Sequence, residues 1–177
     1  MKHIKKIIPL VCCLIIQQKI QAQVPTQGSY ITNNSMGAFH GTWQWVNGAD
    51  TVKIYLTTKK VYCDINGGFF WDLLVGWHLY KKGNVIIENS LSNINIVNLR
   101  TFTGSNQNSS NINTIEGGTF KDITKNKEGE LTLTLNTAQN QLTWKLDVSP
   151  GLKARKPNQP AYIRGFTLPE NMILTKL

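Results

Sequence analysis

Residues 39–61 read FHGTWQWVNGADTVKIYLTTKKV, and this stretch decides the fold class. Phe39, Gly41, Trp43 and Trp45 share one face of an extended chain, with His40, Thr42, Gln44 and Val46 on the other. Such period-two alternation belongs to a strand. Asn47-Gly48 follows at once, and both residues tolerate the positive φ that a two-residue hairpin turn requires. The partner is Thr51–Val61, where Val52, Ile54, Leu56 and Thr58 alternate with Lys53, Tyr55, Thr57 and Lys59.

The same pattern continues outward. Asn66-Gly67-Gly68 breaks the chain before a strand over Leu73–Tyr80. The turn Lys81-Lys82-Gly83-Asn84 leads into Val85–Leu91, and Ile94–Phe102 reads as another strand. Thr103–Asn113, rich in Asn, Ser and Gly, is the expected long loop. Strands follow at Phe120–Thr124, around Leu131, Leu133 and Leu135, and through Leu142, Trp144, Leu146 and Val148. A proline-bearing loop from Pro150 to Pro160 leads through Tyr162–Thr167 to a closing strand at Met172–Leu177. Eight to ten short antiparallel strands joined in sequence predict an all-β, up-and-down barrel. Closure removes the sheet edges that promote aggregation.

At the other end, Lys2, Lys5 and Lys6 precede an apolar run from Ile7 to Ile16 and a polar stretch ending at Ala22. This order is that of a secretory signal, and the apolar run is too short to span a membrane. The expected organisation is a signal peptide over residues 1–22 and one barrel domain over 23–177. Cys12 and Cys13 raise lipid anchoring as the minor alternative. The expected location is outside the cytoplasm, as a periplasmic, outer-membrane-associated or secreted protein. The 177-residue chain carries +9. Removal of Lys2, Lys5, Lys6 and Lys19 leaves fifteen cations against ten acids, a scattered +5. No nucleic-acid partner and no transmembrane span are expected, and a monomer is. Lys153, Arg155 and Lys156 lie among prolines and read as a solvated loop. Cys63 alone remains, so a packed core rather than a disulfide must hold the fold.

Gly41-Thr42-Trp43 resembles the Gly-x-Trp opening of lipocalins. That resemblance implies a lipocalin-like barrel in which Gly41 permits close approach at the floor and Trp43 plugs it. A basic residue, Lys176 or Arg164, would pack on the indole. The later Thr-Asp-Tyr signature of that superfamily is absent. The layout as a whole is similar to an uncharacterised family of small secreted bacterial proteins, lipocalin-like in outline. The marks are Ala22-Gln23, Gly41-Thr42-Trp43, Gly76-Trp77 with Lys82-Gly83-Asn84, and Pro169 with Met172, Leu174 and Lys176. The family implies fold and export and no activity.

Catalytic chemistry has little support. His40, His78 and Cys63 lack nucleophile or metal spacing, and Asp64 and Asp72 beside Gly67-Gly68 read first as turn-bonding carboxylates. No catalytic residue, metal or cofactor is expected. Asp50-Thr51-Val52 resembles a short bacterial O-glycosylation sequence. The aromatic segment supplies candidate ligand contacts: Trp71, Trp77, His78 and Tyr80. Two functions stand. One is a noncatalytic barrel binding a small apolar or amphipathic ligand inside; the other is a filled barrel that meets a protein partner through its loops, as an interaction or inhibitor protein. A hydrolase of unknown type comes third.

Overall fold

The computed structural model describes residues 25–65, 67–94, 96–107, 110–147 and 164–177. The signal-like segment, Cys12, Cys13, Asn66 and the Lys153–Lys156 cluster lie outside them. Ten strands are described: β1 (Tyr30–Ile31), β2 (Gly41–Asn47), β3 (Asp50–Cys63), β4 (Phe69–Lys82), β5 (Val85–Asn89), β6 (Phe102–Gly104), β7 (Thr114–Asp122), β8 (Lys127–Leu135), β9 (Gln141–Asp147) and β10 (Asn171–Lys176). Eight of them, β2-β3-β4-β6-β7-β8-β9-β10, close into an antiparallel up-and-down barrel. The β4–β6 pairing completes one side, and β10 pairs β2 to shut the other. Strand β1 lies parallel on β4, and β5 forms a hairpin with β4. No described helix is long and apolar enough to cross a membrane.

Alternation fixes which side chains face inward. Trp43 opposes Ile54, which opposes His78; Trp45, Val52 and Tyr80 form the next inward row. These join Leu131, Leu133, Leu135, Leu142, Trp144, Met172 and Leu174 in one continuous buried cluster. The ends are covered too. A 3-10 turn at Asn34–Phe39 buries Met36 and Phe39 against Trp43 at one end. At the other, Phe166 and Leu168 pack inward, the Phe166 ring 6.4 Å from Phe120. Gly129 makes room for that plug, since a Cβ there would stand 2.3 Å from the Phe166 ring.

Several expected boundaries move. Ile94–Phe102 is not a strand: short 3-10 turns occupy Leu91–Asn93 and Val97–Leu99, and only Phe102–Gly104 pairs. Ile94 and Val97 there are half-buried, while Ile96 and Leu99 are exposed. The segment leaves β4 where Ser90 donates to the His78 carbonyl and returns where Thr101 donates to that of Gly76. Trp77 stands between those two anchors on the outer face and is fully buried, its ring 6.4 Å from that of Tyr55. Residues 164–167, the described part of the connection to the closing strand, are irregular.

Candidate functional site

The predicted floor residues come together. Gly41, at φ +121°, would place a Cβ 3.3 Å from the Lys176 side chain. The Lys176 ammonium lies 5.1 Å from the Trp43 ring centroid and donates to the Ala38 carbonyl at 3.1 Å. Trp43 is fully buried, and its indole N–H donates to the Phe39 carbonyl at 2.9 Å. Lys176, not Arg164, is the cation on the indole. His40 sits beside this cluster, its Nε2 accepting from the Thr58 amide at 3.1 Å. Partial burial, then the charge of Lys176, lowers the His40 pKa below its ordinary value.

The four candidate ligand residues do not share a face. Trp71 and Trp77 stand on the outer side of β4; His78 and Tyr80 point inward. Tyr80 donates to Asp50 at 3.2 Å at the barrel rim. Burial and the nearby Asp50 carboxylate raise the Tyr80 pKa. Asp72 and Asp64 do not form a pair: Asp72 opposes Lys60 and accepts from the Tyr30 hydroxyl and the Asn33 amide, while Asp64 is exposed. Asp72 therefore ties the amino-terminal segment to β4.

His78 lies within a polar network inside the barrel. Its Nε2 is 2.7 Å from Glu88 Oε2, and its Nδ1 is 2.8 Å from Thr101 Oγ1. An ionised carboxylate only accepts, so Nε2 donates. Glu88 Oε1 accepts from the Thr124 amide at 2.8 Å, and Ser90 Oγ accepts from the His78 amide at 2.7 Å. Burial pushes the Glu88 pKa up, but the bonds from His78 and Thr124 outweigh it and bring it down to about 2. Glu88, Ser90 and Thr101 were invisible as a site because a bulge brings Glu88 inward. Tyr80 pairs Glu88 whereas Lys81 pairs Ile86, leaving Ile87 as the extra residue. Had the Lys82–Val85 register continued without the bulge, Ile87 would oppose Tyr80, and Glu88 would oppose Leu79 and face outward. The hydroxyl–imidazole–carboxylate order resembles catalytic chemistry. However, all three side chains are buried, so the network holds β5 and the return segment against β4. Asp122 does similar work elsewhere, accepting from the Lys125 amide and from the Thr167 amide and hydroxyl. Among the described residues, no group of three His, Cys, Asp or Glu side chains is placed to hold a metal.

A groove of about 460 Å³ between β2 and β10 is lined by Trp45, Val46, Trp144, Met172 and Ile173 among others, and two more lie along the β4–β6–β7 wall. One, of about 350 Å³, is lined by Trp71, Leu73, Thr103, Ser105, Glu116 and Thr119 among others. The other, of about 380 Å³, is lined by Asn98, Arg100, Thr101, Lys121 and Glu128 and shares Thr103 and Thr119 with the first.

Over residues 1–177 the sequence matches DUF6705, a family of unknown function. The chain belongs to that family. No curated protein and no solved structure matches it. The DUF6705 match thus covers the whole barrel and assigns no chemistry to any residue described above.

Proposed function

We propose that this protein is an exported, noncatalytic barrel whose packed interior is a scaffold and whose binding takes place on the outer wall and loops. The observation that carries this is the filling of the barrel axis. Trp43, Phe102, Phe120 and Trp144 are each at most 2% exposed and belong to one apolar cluster that Met36, Phe39, Phe166 and Leu168 extend at both ends. A ligand-carrying interior needs space that these side chains occupy. The Gly41, Trp43 and Lys176 cluster is consistent with a lipocalin-like ancestry in which the floor is kept and the cavity is filled. Export rests on the basic, apolar and small-residue order of residues 1–22.

The test is a fluorescent fatty-acid probe titrated into protein purified from its own host, alongside native mass spectrometry. No saturable probe binding is expected, and a retained partner or glycan is. Saturable binding whose affinity rises with chain length would favour an apolar ligand inside the barrel instead. Amino-terminal sequencing of the exported form should begin at Gln23; Met1 or a lipid-modified Cys would overturn that part.

A further inference from the structure

The two grooves on the β6–β7 wall adjoin, with Thr103 and Thr119 lining both, and together they make an extended cleft. These threonines oppose each other across the β6–β7 pair and point away from the core, as their neighbours Phe102 and Phe120 point into it. We propose that this cleft binds an oligosaccharide of two or three pyranose units. The proposal rests on the outer-wall binding put forward above and names its ligand class.

The lining has the chemistry a sugar needs. A pyranose presents an apolar C–H face, which packs on an aromatic ring, and a rim of hydroxyls that both donate and accept. Trp71 supplies the ring at one end. Its indole N–H is buried without a hydrogen-bond partner, so the exposed part of the side chain is hydrocarbon. Beyond it, Ser105, Thr103 and Thr119 offer hydroxyls, Asn98 an amide, Glu116 and Glu128 carboxylates, and Arg100 and Lys121 donors. Two cations stand against two carboxylates, which suits a neutral polyhydroxyl chain better than a polyanion or an apolar tail.

Two features show the cleft to be preorganised. Arg100 donates through Nε to Thr103 Oγ1 at 2.6 Å and through Nη1 to the Val97 carbonyl at 3.0 Å, which fixes the guanidinium before any ligand arrives. On β7, Ile115 pairs Leu133 and Gly118 pairs Leu131, so Glu116 and Gly117 form a bulge on the outer face. Gly117, at φ +66°, takes the left-handed conformation that this bulge requires. Glu116 and Gly117 are both exposed beside the cleft, and the next inward residue is Gly118 instead of Gly117.

The experiment titrates cellotriose, maltotriose and chitotriose separately into the full chain, read by tryptophan emission and calorimetry. At least one trisaccharide should bind saturably below about 10 mM. Trp71→Ala should weaken it roughly tenfold, and Thr119→Val and Arg100→Gln each about threefold or more. If Trp71→Ala fails to fold, Thr119→Val and Glu116→Gln, both at exposed positions, carry the test. Absence of saturable binding for all three sugars overturns the proposal, as does binding that Thr119→Val and Arg100→Gln leave unchanged. A protein partner retained in native mass spectrometry without sugar binding would overturn this inference alone. Saturable binding of the fatty-acid probe would instead strike the packed-scaffold proposal beneath it.

Discussion

Trp43 concentrates several interactions in one side chain: full burial, an indole N–H bonded to Phe39, and a lysine over its face. Trp43→Ala is expected to cost about 3–5 kcal/mol, the range for a buried large aromatic, measured by urea unfolding. Lys176→Met keeps most of the packing and removes the cation, so it should cost far less. Two titratable groups give the stability a defined acid limit. His40 has a lowered folded pKa, so the folded state takes up fewer protons than the unfolded chain. Its contribution is complete above the unfolded value near 6.5 and falls as pH drops through that region. Glu88 is likewise lowered: its contribution is complete above about 4.5 and is lost towards about 2. Urea midpoints measured against pH should show both losses. His40→Gln should remove the upper one, and Glu88→Gln should flatten the lower one while lowering stability at neutral pH.

Among the elements, β5 is the most exposed to error. Val85, Ile86 and Ile87 are exposed, and among the described residues this strand pairs only with β4. An apolar strand with a free edge invites pairing with another chain. Ile86→Lys should therefore reduce self-association at high concentration, read by light scattering, with the unfolding midpoint nearly unchanged. The strand pattern was legible from Gly41 to Tyr80 because alternation there records burial on one side, whereas Phe39 closes a 3-10 turn before the strand begins. The pattern failed at Ile94–Phe102, where the chain runs through 3-10 turns and the alternation reports nothing about pairing. The floor cluster was legible from Gly41, Trp43 and Lys176. The His78–Glu88 pair was not, since a single bulged residue reverses the side on which Glu88 stands, and no composition signal marks it.

For the whole molecule, closure depends on a thin seam. Strand β10 pairs β2 at only two positions, Thr175 with Gln44 and Lys176 with Trp43, although it pairs β9 at five. Removing residues 171–177 should leave an open sheet with β2 and β9 edges, and cooperative urea unfolding should give way to a broad, aggregation-prone transition.

That seam also sets a timetable for biogenesis. Ala38 and Lys176, which meet at the floor, are 138 positions apart. At ordinary translation speeds the first barrel strand leaves the ribosome roughly ten seconds before the strand that locks it. Throughout that interval Trp43 has no cation over it and no closed wall around it. The nascent chain must therefore remain open, a state in which a chaperone or a secretion channel can still hold it, and closure comes only as a late, long-range event.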